Sequence, residues 1–360
     1  MKTAVIILNW NTEGFLRQFL PGLLSSVASC EDTEVIVADN ASTDASVRVM
    51  QESFPEVKTI LFNENYGFTG GYNRAIEQTE AEYIVLINSD IEITEGWLEP
   101  LVDWMDTHPE CGACAPKLHS FQNRDMFEYA GAAGGYVDRY GYPFCRGRIL
   151  GRVEKDNGQY DTIADVFWAT GACLMVRRDV FIRLGGLDER FFAHMEEIDL
   201  CWRMQLHGYR VSIIPQSVVY HVGGGTLPAS SPFKLYLNFR NNLMMLSNNL
   251  SKTFALGYLR SGNDIRSAAV KGMRKAGRRI WTRKMLDRLS AIVYFLTGKK
   301  ECCKAVLRAH KDYEKGKRTY TAEEICGYLR KEGSHGHIRG WYKKWIIISS
   351  SIEGKDFYNY

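Results

Sequence analysis

The chain has 360 residues, 45% of them hydrophobic and 24% charged, a balance that suits about two globular domains and excludes extended disorder. Its net charge of +3 joins two opposed parts: residues 1–226 carry 18 Lys and Arg against 32 Asp and Glu, and residues 227–360 carry 27 against 10. No apolar run reaches the roughly 18 residues of a membrane-spanning helix, and the nine scattered cysteines with an N-terminus that opens directly into an apolar run predict a reduced, cytoplasmic chain without a signal peptide.

From the N-terminus, residues 4–8 form a continuous apolar run with β-branched side chains, as expected of a buried parallel strand. Phe15, Leu16, Phe19, Leu20, Leu23, Leu24 and Val27 follow at helical spacing. Thr12 is placed to cap that helix, and Pro21 is expected to kink it or end its first half. Further strands are predicted at 35–38, 57–62 and 83–87, with helices at 46–54 and from 71 to 78. Cys111 and Cys114 form a CxxC with no second pair, so they read as half-buried thiols near a strand before they read as a zinc site. Residues 120–165, rich in Gly, Tyr and Arg, predict a loop or small insertion over the site. Order returns at 167–176, then a short helix, then a helix over 193–206. Short strands are expected at 210–214 and 217–220 around Pro215. A flexible turn at 223–225 closes a catalytic domain at residue 226. From 227 the pattern is helical and basic, with eight Lys and Arg and no acidic residue between Asp264 and Asp287. Gly272 and Gly277 weaken this helix, which is expected to form on contact.

Repeated strand–helix units imply a parallel sheet with helices on its faces, and ligands of such sheets bind outside the carboxyl ends of the strands. That rule selects Asn9–Asn11 and the polar stretches 39–44, 63–72 and 88–90. Asp39 at the end of the second strand can accept from a base N–H or a ribose hydroxyl, while Ser42 and Asp44 suit helix capping. Asn65, Gly67, Phe68, Gly71 and Asn73 form a Gly-rich helix entry whose backbone N–H groups can approach phosphate, although ordinary turns look similar. Asn88-Ser89-Asp90 can present a carboxylate to a divalent ion, or form an Asx turn. His221 offers an imidazole to the same ion, and that donor set favours Mn2+ or Mg2+. Glu196, Glu197 and Asp199 crowd one helix. Burial and like charge would raise one carboxyl for general-base work; the alternative is a solvated face with an Asp199–Arg203 pair.

Together these residues resemble glycosyltransferase family 2, and within it the bacterial rhamnosyltransferase-like members. The stretches that carry the likeness are Ile7-Leu8-Asn9-Trp10-Asn11, Val37 to Asp44, Asn65 to Asn73, Leu86 to Asp90, Gly185 to Phe192, Glu196 to Leu200, and His221. It spans about residues 3–250. The resemblance implies a GT-A fold: an α/β, Rossmann-like, mostly parallel sheet flanked by helices, here followed by a basic helical C-terminal segment. It implies that Asp39 contacts the nucleotide base, that Asn88 and Asp90 stand where the family's DXD motif holds metal, and that His221 is the distal metal ligand. Glu197 aligns with the usual base. Lys234 and Arg240-Asn241 match a pattern seen after the catalytic core in these members, with no role attached. Two departures stand out: Asn88 replaces the first Asp of DXD, and Glu196-Glu197 replaces Glu-Asp. The extra methylene moves the base by about 1.5 Å unless the backbone compensates or Glu196 takes the role.

The resulting expectation is inverting transfer from a nucleotide-diphosphate sugar, with dTDP-rhamnose one candidate, to a hydroxyl of a glycan or polyprenyl-diphosphate-linked acceptor in cell-surface polysaccharide assembly. The basic residues at 260–300 are expected to meet an anionic membrane surface at the cytoplasmic face; the alternative is a helical subdomain paired with the acidic part. No nucleic-acid recognition motif is present. A sugar-nucleotide pyrophosphorylase is the alternative enzyme, and a non-catalytic sugar-nucleotide-binding scaffold the alternative binding module.

Overall fold

The computed structural model describes residues 1–28, 30, 32–223, 231–333 and 335–352. In chain order, the first half comprises β1 (Thr3–Asn9), α1 (Glu13–Val27), β2 (Thr33–Asp39), α2 (Ser46–Ser53), β3 (Lys58–Leu61), α3 (Gly67–Glu77), β4 (Tyr83–Ile87), β5 (Ile91–Ile93), α4 (Glu99–Thr107) and β6 (Cys111–Ser120). Then come β7 (Gly135–Asp138), β8 (Pro143–Cys145), β9 (Arg148–Ile149), β10 (Arg152–Val153), β11 (Ala164–Asp165), β12 (Cys173–Arg177), α5 (Arg178–Arg183), α6 (Glu196–Leu206) and β13 (Arg210–His221). The C-terminal region holds α7 (Pro232–Arg260), α8 (Ile265–Leu296), α9 (Lys300–Gly316), α10 (Ala322–Glu332), β14 (Trp341–Tyr342) and α11 (Ile346–Ile352).

The main sheet runs β11-β13-β6-β12-β4-β1-β2-β3, with β5 joined to β13. β4, β1, β2 and β3 are parallel, as the strand–helix repeat demands. The other half is mixed. β12 lies antiparallel to both β4 and β6, whereas β13 is parallel to β6; β12 is reached through the irregular 120–165 stretch and not through a crossover helix, so nothing enforces a parallel return. Side-chain alternation along the central strands feeds two cores. Ile6, Ile36, Ala38 and Leu86 pack with α3, α5 and α6, and Val5, Ile7, Val37, Val85 and Ile87 pack with α1 and α4. Each such Ile or Val contributes roughly 1.5–3 kcal/mol relative to exposure.

Several local expectations need correction. α1 continues through Pro21, which sits on its exposed side, where water can serve the carbonyl left without its helical donor. Thr12 occupies the cap position but its side chain does not cap: the hydroxyl donates to Asn9 Oδ1, and Asp44 Oδ2 accepts the Glu13 N–H at 3.0 Å in its place. α3 starts four residues earlier than the glycine pattern suggested. The two strands expected around Pro215 are one strand with a register shift between Ile214 and Val218. Cys111 and Cys114 are fully buried in β6.

The stretch 120–165 contains a second small sheet, β10-β9-β8-β7-β14, whose last strand comes from the C-terminal region and pairs in parallel with Val137 and Asp138. The expected boundary at 226 and two of its three glycines lie outside the described residues. One continuous apolar core joins Phe167 and Trp202 of the N-terminal part to Leu243, Leu246 and Leu250 on α7 and Ala268 and Ala269 on α8. α8 is unbroken over 32 residues. The glycine expected to weaken it is what lets it pack: a Cβ at Gly272 would lie 2.6 Å from the Ala255 backbone nitrogen.

Candidate active site

Asn9 and Asp39 end neighbouring strands in register. Asp39 is buried; its Oδ2 accepts from Asn9 Nδ2 at 2.7 Å and its Oδ1 from the Ser42 N–H at 2.9 Å. Asn11, in the left-handed region at φ 55°, accepts the Thr43 N–H at 2.7 Å and donates its own N–H to Ser42 Oγ at 2.9 Å. Asn40 bridges to Asn65 Oδ1 and to the Gly67 carbonyl, both at 3.0 Å, and Asn65 Oδ1 accepts the Gly67 N–H at 2.8 Å. The predicted nucleotide-side residues therefore form one polar lattice that fixes three loops at the sheet edge. Trp10, between Asn9 and Asn11 in sequence, is exposed.

The Gly-rich entry behaves otherwise than a phosphate cradle. The N–H groups of Phe68 and Thr69 donate to the Phe192 carbonyl at 2.8 and 3.2 Å, so the first turn of α3 already serves a protein acceptor. Gly67 has φ 71°, and a Cβ there would lie 2.4 Å from the Phe192 ring. Gly71 allows α3 to approach Leu8. Asn73 clamps Leu187 from both sides, donating to its carbonyl at 2.8 Å and accepting its N–H at 2.9 Å. These residues join α3 to the segment that precedes α6.

On the other side of β1, the Asn88 N–H donates to the Ala172 carbonyl at 2.9 Å. Asp39 and Asn88 lie two strand spacings apart, about 10 Å. Ser89 and Asp90 are nearly buried. The pairing of Ile91 with His221 brings His221 Nε2 to 3.2 Å from Asp90 Oδ1. Glu128 completes the group, its Oε1 3.4 Å from His221 Nδ1 and its Oε2 accepting the Ala130 N–H at 2.5 Å. Sequence reasoning missed Glu128, since it lies in the irregular stretch with no motif around it. Burial lowers the imidazolium's pKa, but hydrogen bonds to Asp90 and Glu128 outweigh it and hold His221 at about 10. Among the described residues no three His, Cys, Asp or Glu side chains form a ready metal cluster. Asp90 and His221 nevertheless offer adjacent donors, a carboxylate oxygen and the imidazole Nε2 that faces it. Two such donors fit an ion that takes its other ligands from a diphosphate and water, its binding displacing the imidazole proton.

α6 is preceded by a strained loop: Phe192, His194 and Met195 have φ of 64°, 70° and 74°. Conformations of this kind persist only where surroundings over-determine them, and here nearly every carbonyl is held. α3 takes Phe192, Asn241 Nδ2 reaches the carbonyls of Phe191, Ala193 and His194 at 2.9, 2.7 and 2.8 Å, and Arg240 donates to those of Arg190 and Phe191 at 3.0 and 2.8 Å. That is the structural work of Arg240-Asn241. The loop delivers Glu196 and Glu197 at the start of α6. Burial raises both carboxyls. For Glu196 the Glu197 and Asp199 charges add to burial and drive it well above the usual range; Glu197 is pushed to about 7, opposed by backbone N–H groups at the helix start. One oxygen of each is buried without a partner. Asp199 is instead structural, bound to Arg203 at 2.7 Å, Asn248 at 3.0 Å and Asn249 at 2.8 Å. The two halves of the site meet at residues 170–172. A Cβ on Gly171 would lie 3.5 Å from Glu197 Cβ and 3.4 Å from the Phe68 ring, and the next carbonyl, Ala172, is the one bound by Asn88.

A half-buried carboxyl raised toward neutral pH, linked through residues 170–172 to the strand edge that carries a carboxylate–imidazole pair, is an arrangement for removing a proton near a site of anion stabilisation. The family model for glycosyl transferase family 2 matches residues 4–185, half of the chain. The N-acetylglucosaminyl-diphospho-decaprenol L-rhamnosyltransferase of Mycobacterium tuberculosis is 27% identical over 235 residues, covering 60% of this chain and 75% of the relative. Among solved structures, GalNAc-T7 with UDP, GalNAc and Mn2+ superposes with a TM-score of 0.54 at 14% identity, covering 77% of this chain; the chain spans only 54% of that protein. Residues 1–349 of S. aureus TarS with UDP-GlcNAc superpose with a TM-score of 0.51 at 15% identity, covering 89% of this chain and 93% of TarS 1–349. The chain belongs to glycosyl transferase family 2 and is a glycosyltransferase built on the GT-A fold.

Proposed function

We propose that the protein transfers a sugar from a nucleotide-diphosphate donor to a glycan hydroxyl by a single inverting displacement. Glu197 accepts the acceptor's proton as the hydroxyl attacks the anomeric carbon from the face opposite the leaving group. Asp39, with Asn9, Asn11, Asn65 and the lattice around them, receives the base and ribose, and Asn88 and Ser89 line the donor's sugar-diphosphate side. Asp90 and His221 would hold a divalent ion, Mn2+ or Mg2+, whose charge neutralises the departing diphosphate. The observation that carries this reading is the approach of Glu197 to the Asn88–Asp90 edge across residues 170–172, with Glu197 raised by burial to about 7 and one of its oxygens lacking a protein partner. The named relative supports rhamnose as the sugar and a polyprenyl-diphosphate-linked glycan as the acceptor; with these the proposed donor is dTDP-rhamnose, and the proposed place is the cytoplasmic membrane face, in polysaccharide assembly. GalNAc-T7's Mn2+ supports the choice of ion.

The test is a panel of nucleotide sugars with Mn2+ or Mg2+, read by released nucleoside diphosphate. One donor should turn over with acceptor, chelation should stop it, and Asp90→Ala should reduce turnover at least about 100-fold while the protein stays folded. Near-wild-type turnover of Asp90→Ala rules out the assignment.

A further inference from the structure

α8 meets the protein along one face, where Gly272, Ala276, Arg283, Asp287 and Ala291 are buried. The opposite face of its C-terminal half is bare. Trp281, Leu289, Ile292, Val293, Phe295 and Leu296 are each between 54% and 77% exposed. At about 100° per residue these six share an arc of roughly 160° turned away from Arg283 and Asp287. From residue 289 to 296 every residue but Ser290 is apolar or aromatic, the composition of a helix covered on both sides, yet protein covers only one. Scattered exposed apolar residues need no explanation, but a contiguous patch marks a contact surface. From Leu289 to Leu296 the stripe is about 10 Å long and ends at Gly298, φ 77°, where the chain turns into α9.

Charge identifies what covers it. No Asp or Glu occurs between Asp287 and Glu301, whereas Arg288, Lys299 and Lys300 are exposed beside and at the tip of the stripe. The cationic run further back is partly unavailable: Arg283 binds Asp287 at 2.7 Å and Asn242 at 2.6 Å, and Arg279 donates to the Arg139 carbonyl. The contact is thus an apolar tip with a cationic collar, not a basic face. A second copy of the chain fits this surface poorly. A two-fold contact along one narrow helix would set the collars against each other, and a stable interface buries about 800 Å² per partner. A bilayer surface accepts both parts, with apolar side chains below the headgroups and cations among the phosphates.

We propose that the end of the α8–α9 hairpin inserts into an anionic lipid surface and holds the protein there. Its purpose rests on the lipid-linked acceptor proposed above; the surface itself does not. The test is flotation of the full chain with phosphatidylglycerol or phosphatidylcholine vesicles at about 0.1 and about 0.5 M salt, alongside light scattering without lipid. Wild type should float with phosphatidylglycerol vesicles and stay largely bound at the higher salt, since apolar insertion is not screened. The triple variant L289S/I292S/L296S, altered only at exposed positions, should melt as wild type does and bind at least about 100-fold more weakly. K299E/K300E should lose most of its preference for phosphatidylglycerol over phosphatidylcholine. Equal flotation of the triple variant and wild type overturns the proposal, as does a wild-type dimer that the triple variant converts to monomer. Failure of every nucleotide sugar to turn over, with flotation as expected, would count against the proposed reaction and leave the lipid contact standing.

Discussion

Replacing Asn241 by Leu removes one buried amide without opening a large cavity. In the wild-type protein that amide serves the carbonyls of Phe191, Ala193 and His194, around three non-glycine residues held at positive φ. Each such residue stores about 1–3 kcal/mol, and each buried carbonyl left without a donor costs about 1–3 kcal/mol. Two amide protons cannot fully satisfy three acceptors, so a loss of about 3 kcal/mol is expected, enough for the loop to relax toward ordinary dihedrals. Glu196 and Glu197 follow that loop directly, and a displacement of about 1 Å at a catalytic group lowers rate about 100-fold. Urea melts and turnover under saturating donor and acceptor measure the two effects separately. kcat should fall about 100-fold even under conditions where the variant is fully folded, with the donor's Kd little changed because Asp39 and Asp90 stand on other loops. An Asn241→Leu protein with wild-type kcat would refute the claim that α7 positions the catalytic carboxyl.

Three further substitutions separate buried from exposed positions. Burial, then Glu197 and Asp199, raise the Glu196 carboxyl well above 4.5 in the folded protein. A raised folded value favours the fold below the unfolded pKa and loses that favour as pH climbs through the folded one, so Glu196→Gln should leave stability unchanged near about pH 4 and raise it near about pH 8; equal gains at both pH values would contradict this. Gly272→Ala drives a methyl into the Ala255 backbone and should destabilise by about 2–3 kcal/mol. Gly277→Ala on the same helix meets open space and should stabilise by about 0.5–1 kcal/mol, a pair that thermal melts resolve directly.

The parallel half of the sheet was readable because Ile6, Ile36 and Leu86 sit in short β-branched runs bounded by polar residues, and the edge rule then selected Asp39 and Asp90, while Glu197 stood out through the acidic cluster on its helix and the family likeness. His221 was readable as a donor for Asp90 through the family likeness, since no local pattern pairs residues 131 positions apart. Three things were not legible. Glu128 sits in a stretch without periodicity, and only the return of residues 126–128 along the end of β6, with the Glu128 N–H on the Leu118 carbonyl, brings it to His221. The fate of the Gly67–Asn73 backbone depends on where Phe192 lies, which is set by α7 and not by the glycines. Gly272 reads as a helix breaker by propensity, but the Ala255 backbone it faces is visible only in tertiary contact. Arg240-Asn241, a pattern without a role in sequence, acquired one once its acceptors were carbonyls of a loop 47 to 50 residues away.

The pH dependence of kcat/KM for the acceptor, measured for wild type, Glu196→Gln and Glu197→Gln with saturating donor and Mn2+, tests the assignment of the base most directly. Wild type and Glu196→Gln should each show an acid limb, with the wild-type limb near pH 7 and activity falling about tenfold per unit below it. Glu197→Gln should lose at least about 1000-fold in rate together with the limb itself. A Glu197→Gln enzyme that keeps both its rate and its acid limb would contradict the account.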